Sequence, residues 1–253
     1  MSGDSGMIQG FTDIHHHLVY GVDDGAQTFD QAVEMAAAAW QDGTATLLCT
    51  SHISPGIKPF DTERYFRHLE KIQQACQQQG MGLRLLQGAE ILYTEPTCRF
   101  LREKRIPTLG GTDYVLVEFF PLVEYREICE AVTGIQRAGY RPIIAHVERY
   151  RCLAASIPKL REVRDDLGAV IQMNCSTVIG GKGLLNDHRN RKLLDEGLID
   201  VIGTDAHNTS SRPTQMRAAY NWLEKKYGGS YAAELMGLNA EVGIAQAFRS
   251  SEE

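Results

Sequence analysis

The chain has 253 residues, 43% of them hydrophobic and 23% charged, and a net charge of −6. That profile suits one globular α/β barrel domain over residues 1–253 and gives no electrostatic footprint for nucleic acid. No apolar run reaches the roughly 18 residues of a membrane span, and residues 1–6 lack the basic and apolar parts of a secretory signal, so a cytoplasmic location is expected.

In chain order, periodicity predicts a strand over 8–14, a helix over 29–41, a strand over 44–49 and a helix over 61–79 that Asp61 caps. A strand over 84–87, a helix over 94–103, a strand over 114–117 and a helix over 124–138 follow. The alternation continues with strands at 142–145, 169–173 and 200–202, separated by helices at 157–166 and 188–196. The tail, 212–248, reads as two or three further helices, one of them over 217–227. Seven β/α units of this length favour a closed α/β barrel, with extra C-terminal helices, over an open sheet as the alternative. In such barrels the chemistry sits where the strands' C-terminal ends meet the βα loops.

Those ends carry metal-ligand residue types. His15 and His17 flank His16 at the end of the first strand, two positions apart and so on one face, with Asp23-Asp24-Gly25 a short loop away. Later strands end in Thr50-Ser51-His52, Gly88-Ala89-Glu90, Val117-Glu118, Ala145-His146 and Gly203-Thr204-Asp205-Ala206-His207. One such end is unremarkable, but six in order predict a polynuclear metal enzyme. Five imidazoles and four carboxylates without a thiolate suit Mn²⁺, Fe²⁺ or Zn²⁺. Other hydrolase signatures fail on spacing: no Cys is followed six positions on by Arg, Gly181-Lys182 lacks the rest of a P-loop, and no G-x-S-x-G occurs. The six cysteines, without a C-x-x-C pair, are expected reduced and buried.

The ordered motifs, including His146-Val147-Glu148-Arg149-Tyr150 and Asp205-Ala206-His207-Asn208, resemble the PHP (polymerase and histidinol phosphatase) superfamily. Within it the chain is most similar to bacterial capsule and exopolysaccharide protein-tyrosine phosphatases of the CpsB/YwqE type. The resemblance implies a distorted (β/α)7, TIM-like barrel with three divalent metals, Mn before Fe or Zn. By that resemblance His15, His17, Glu90 and Asp205 hold the first metal. Glu90 bridges to a second with Glu118 and His146, and Asp24, His52 and His207 hold a third. The resemblance also places Arg149 and Arg212 on the phosphate. His16 and Thr204 depart from common family residues, though neither is a ligand position.

The reaction expected is in-line attack on phosphorus by a hydroxide shared between metals, with the metals and both arginines offsetting charge on the equatorial oxygens. A tyrosine phenolate, with a pKa near 10, asks little of a general acid, for which His207 and metal-bound water are both candidates. The implied partner is a phosphotyrosine protein, the tail of a bacterial tyrosine autokinase. A histidinol-phosphatase-like enzyme and a non-catalytic metal-binding scaffold for the kinase are the rivals, and oligomeric state is left open. Asp13 is expected to orient an imidazole or cap the loop, and Glu148 to lie outside the ligand set. Asn174 is expected to contact substrate or hold its loop, and His68 and His188 to be exposed. Tyr20, Phe60, Phe119 and Phe120 border a pocket or pack.

Overall fold

The computed structural model describes residues 10–181, 183–237 and 247–248. The first strand begins at Phe11, and residues 8 and 9 of the predicted strand lie outside the described residues. The strands are β1 (Phe11–His16), β2 (Thr44–Cys49), β3 (His52–Ile53), β4 (Arg84–Gln87) and β5 (Glu90–Leu92). They continue as β6 (Tyr114–Glu118), β7 (Arg141–Ile144), β8 (Val170–Asn174) and β9 (Val201–Gly203). Each of their pairings is parallel, in the orders β1-β2-β4 and β3-β5-β6-β7-β8-β9.

The predicted strands over 44–49 and 84–87 are β2 and β4, and each is followed by a short strand that was not predicted, β3 after a cut at Thr50-Ser51 and β5 after a cut at Gly88-Ala89. The cause is a side chain inserted between neighbours. The buried Tyr65 hydroxyl donates to the Cys49 carbonyl (2.6 Å) and accepts from the Gly88 amide (3.0 Å). Gly88 is also wedged so tightly that a Cβ there would lie 2.9 Å from Leu109 Cδ2 and 3.1 Å from Thr50 Cγ2.

Past the cuts, β3 and β5 join the larger sheet, and a bridge between His16 and Ala206 brings the far edge back to β1. The sheet therefore curls round at its C-terminal end. At the other end β4 and β6 are not paired among the described residues, and the turn Leu109–Gly111 lies against both. Leu109 and Phe248 fill that opening, packed with Ile14, Leu48, Leu116 and Ile143 of the barrel interior.

The helices cover the outside. Asp61 caps Thr62–Gln78 by accepting from the Arg64 amide (2.9 Å), and Glu124 and Glu127 form a capping box on Tyr125–Arg137. Some predicted bounds shift: 94–103 shortens to Thr97–Arg102, and 188–196 starts earlier as Leu184–Asp195. The helix Ile157–Arg161 runs on into a wider turn, Glu162–Asp166. Met216–Tyr227 and Gly229–Leu235 form the tail. Among the described residues no helix is long and apolar enough to cross a membrane.

Leu109 is fully buried where the strand ladder is missing, so packing alone closes the barrel there. Leu109→Ala should lower stability by about 2–5 kcal/mol in a urea titration, the range for a core leucine whose cavity cannot collapse.

Candidate metal centre

The register of β1 against β2 slips between Asp13 and His16, a bulge that re-aims side chains. Beyond it His15 and His17 are both fully buried, with their Nε2 atoms 3.3 Å apart. His15 Nδ1 donates to Gln172 Oε1 (3.3 Å) and His17 Nδ1 to Asp23 Oδ2 (2.9 Å). Both outer partners are acceptors, so each imidazole turns its Nε2 lone pair towards the same point. Two carboxylates meet them there. Glu90 Oε2 lies 3.1 Å from His15 Nε2 and 3.2 Å from His17 Nε2, and Asp205 Oδ1 lies 3.5 Å from each.

Burial alone would neutralise such groups, but the pKa directions run the other way. Burial opposes charge on Glu90, yet His15 and His146 hold its carboxyl well below the usual range. Asp205 is likewise held far down against burial, by His15, His17 and Arg149. Burial opposes charge on His17 too, but the nearby carboxylates of Asp205, Asp23 and Glu90 raise it well above an ordinary imidazole. The site calls for positive charge where the donors converge, which a divalent cation provides without protonating either ring.

Two further groups adjoin. Asp24 Oδ1 stands 3.4 Å from both His52 Nε2 and His207 Nε2, and these three atoms with a nitrogen of His17 lie close enough to hold one ion. His52 Nδ1 is 3.0 Å from Glu118 Oε1 and 3.2 Å from Glu90 Oε2, making a third group. His146 stands beside it, with Nε2 2.6 Å from Glu90 Oε1 and 3.8 Å from Glu118 Oε2. The nine residues expected to be ligands therefore fall together, with His52 between two groups rather than in one. Glu90 Oε2 and His207 Nε2 are buried polar atoms without a hydrogen-bond partner, and their chemistry fits a metal.

His207 Nδ1 donates to the Asp205 carbonyl (3.0 Å), which leaves its Nε2 a lone pair. Burial, with His17 nearby, lowers its pKa to about 4, so the ring is a donor of electrons rather than of a proton near neutrality. Arg149 and Arg212 reach Asp205 from two sides, Arg149 on Oδ2 and Arg212 on Oδ1 (2.7 Å). Asn174 Nδ2 donates to Asp205 Oδ2 as well (2.9 Å). Asp205 and His146 both hold left-handed backbone (φ 54° and 34°), which few residues other than glycine adopt.

Sequence reading assigned no role to two supporting residues. Gln172, besides His15, accepts from the His146 amide (2.6 Å) and donates to Asn174 Oδ1 (2.8 Å). It precedes Asn174 by two positions on β8, so strand alternation was the available signal. Asp23 accepts from His17 and from the amides of Gly25 and His52 (each 3.0 Å). Burial opposes its charge, but these bonds lower its carboxyl to about 2.

Asp13 does not orient an imidazole; it caps the loops. It accepts from the Thr204 hydroxyl (2.5 Å) and amide (3.0 Å) and from the His15 amide (3.2 Å), tying β9 to β1. His68 is buried rather than exposed, stacked on Tyr20 at 3.8 Å and donating to the Tyr20 carbonyl. His188 is exposed, as expected. Glu148 accepts from the Asn174 amide and the Thr177 hydroxyl, clear of the ligand groups. Phe119 packs inside and Phe120 is exposed, while Phe60 borders the cavity beside His52 and Glu118. Cys49, Cys76 and Cys175 are buried and the other three half-buried, all as free thiols.

A Cβ on Gly25 would lie 2.2 Å from the His17 carbonyl oxygen and 2.5 Å from His17 Cβ. Gly25→Ala must therefore push the loop, and Asp23 with it, off His17. It should cost about 1–3 kcal/mol of stability by thermal unfolding, as overpacking does. Gly80→Ala, at a position with nothing within 4 Å, is the control for backbone strain alone.

A family model described as capsular polysaccharide synthesis, CpsB/CapC, matches residues 11–245. The chain is 34% identical over 228 residues to the tyrosine-protein phosphatase CpsB of Streptococcus pneumoniae, covering 88% of this chain and 93% of that protein. It is 29% identical over 231 residues to the tyrosine-protein phosphatase YwqE of Bacillus subtilis, covering 91% and 90%. Among solved structures it matches one of the crystal structures of YwqE from Bacillus subtilis and CpsB from Streptococcus pneumoniae, described as metal-dependent tyrosine phosphatases. The TM-score is 0.84 at 27% identity, over 94% of this chain and 95% of that one. Because the match runs over residues 11–245 of 253, the chain belongs to the CpsB/CapC family of capsular polysaccharide synthesis.

Proposed function

We propose that this chain is, as one domain, a metal-dependent protein-tyrosine phosphatase. The observation that carries the reading is the convergence of two imidazole lone pairs on two buried carboxylates, with two arginines closing on one of them. His15, His17, Glu90 and Asp205 would hold one divalent ion, Glu90, Glu118 and His146 a second, and Asp24, His52 and His207 a third. Mn²⁺, Fe²⁺ or Zn²⁺ suits this nitrogen and oxygen set. When bound, such ions supply Lewis acidity that offsets phosphate charge and eases ionisation of water.

The chain's own residues do the rest. Arg149 and Arg212 are 45% and 39% exposed, so both can leave Asp205 for a phosphate dianion, which they bind with paired N–H donors. Asn174, Asp23 and Gln172 hold ligands in orientation. A phenolate leaves without a strong acid, so His207 serves as a ligand and is not needed as a proton donor.

The names of the relatives support a phosphotyrosine protein as substrate, which we assign to the tail of a bacterial tyrosine autokinase. They do not favour histidinol phosphate, and the complete donor set does not favour a dead scaffold. A reducing compartment, the cytoplasm, suits six free thiols.

Phosphate release from a phosphotyrosine peptide should require Mn²⁺, stop on chelation, and vanish in a His15→Ala/His17→Ala variant whose circular dichroism is unchanged. A preference for histidinol phosphate would refute the substrate; inactivity on both substrates with metal bound would refute the chemistry. Arg149→Ala and Arg212→Ala should each lower kcat/KM by about 10²-fold and weaken inhibition by inorganic phosphate. Asp23→Asn, which keeps the shape but weakens the acceptor for His17, should reduce metal affinity about 10–100-fold by isothermal titration.

A further inference from the structure

We propose that a trough leading away from the metal centre binds an acidic segment of the substrate beside its phosphotyrosine, an inference that rests on the phosphatase reading above. A cavity of about 310 Å³ opens at the centre, lined by Asp24, His52 and Glu118 together with Lys58, Pro59 and Phe60. A second, of about 510 Å³, shares Ile53, Lys58, Pro59 and Phe60 with it. A third, of about 520 Å³, shares Thr62, Lys104 and Arg105 with the second. Each cavity thus shares wall residues with the next, and the two beyond the centre far exceed what one phosphorylated ring occupies.

The charge of the trough changes along its length. At the centre the wall is rich in carboxylates, as a cation site must be. In the second cavity every charged wall residue is basic, Lys58, Lys104 and Arg105, in a chain whose net charge is −6, and the third adds one carboxylate, Asp113, to Lys104 and Arg105. Asp61, between two wall residues, is turned to the helix it caps. Lys58 and Lys104 form no ion pair among the described residues. Arg105 reaches Glu103 (3.3 Å), but both side chains are about half exposed and such pairs are weak. Its guanidinium lies 3.8 Å over the Phe100 ring, which holds it at the wall.

Apart from Thr62 and Gly56 the remaining wall is apolar, with Ile57 63% exposed. A small monoester would be served by the centre alone. Cations spaced along an apolar trough suit an extended peptide whose carboxylates alternate with its backbone, and they would add to on-rate and KM rather than to the chemical step.

The test compares two phosphotyrosine peptides, one flanked by Glu and one by Gln, with Mn²⁺-loaded protein at low and high salt. The Glu peptide should show roughly tenfold higher kcat/KM, mostly through KM, with the advantage shrinking in salt. Lys104→Glu/Arg105→Glu should abolish that preference, while phenyl phosphate is hydrolysed at the wild-type rate, which shows that fold and centre are intact. Lys104→Arg should retain the preference. Equal use of both peptides by the wild type, or a preference that survives the double reversal, would overturn the trough and leave the phosphatase reading standing. Hydrolysis of phenyl phosphate with neither peptide accepted would overturn both.

Discussion

Two imidazole nitrogens 3.3 Å apart, with their lone pairs aimed at one point, are the constraint around which the rest is arranged. Left alone, that contact is repulsive, and in a fully buried place there is no water to relieve it. Glu90 and Asp205 turn the cost into a demand for a cation. The polar partners of the pair, Asp23, Glu90, Gln172 and Asp205, come from four other stretches of chain and serve either that demand or its geometry. Gln172 and Asp23 hold the outer nitrogens, so the rings cannot rotate away.

Such a point can only be reached if strands are bent from their regular course. The bulge in β1 lets neighbouring residues share an interior that alternation would divide between faces. The cuts at Thr50-Ser51 and Gly88-Ala89 let His52 and Glu90 leave the lower ladder and join the upper sheet, and Tyr65 satisfies the backbone groups freed there. Left-handed backbone at His146 and Asp205 costs on the order of 1–3 kcal/mol each and is tolerated where surrounding structure fixes it. Asp13 contributes much of that fixing at Asp205, since it holds Thr204 next door. The barrel gives up its ladder between β4 and β6 and closes there by packing instead.

The electrostatics divide by depth. Buried carboxylates face imidazoles at the bottom, and half-exposed arginines stand at the mouth, where an anion arrives. Asp24, 65% exposed, stands among them and lies 3.9 Å from Arg212, so the mouth carries both signs of charge. The same division explains why Arg149 and Arg212 rest on Asp205, the nearest anion, at no cost to their reach.

The alternation of the seven main strands with helices and the nine residues that converge were legible in the sequence, because strand ends in a parallel barrel share one rim and local periodicity marks those ends. The short strands β3 and β5 and the helices Arg151–Ala154 and Cys175–Ile179 were not. Gln172 went unassigned because a glutamine two places before a strand end looks like any other polar residue until a second strand brings His15 against it. His68 looked exposed for the converse reason. Its burial depends on Tyr20, forty-eight positions away, stacking on the ring. Likewise, nothing in residues 50–51 or 88–89 announces a cut, since it is made by a tyrosine from a helix that packs across both strands. Which donors sit beside which was decided in the same way. The chain by itself determined the identity and order of the chemistry, through local pattern. Only the tertiary structure decided orientation, because each imidazole's lone pair is set by what lies behind it, and that partner comes from elsewhere in the chain.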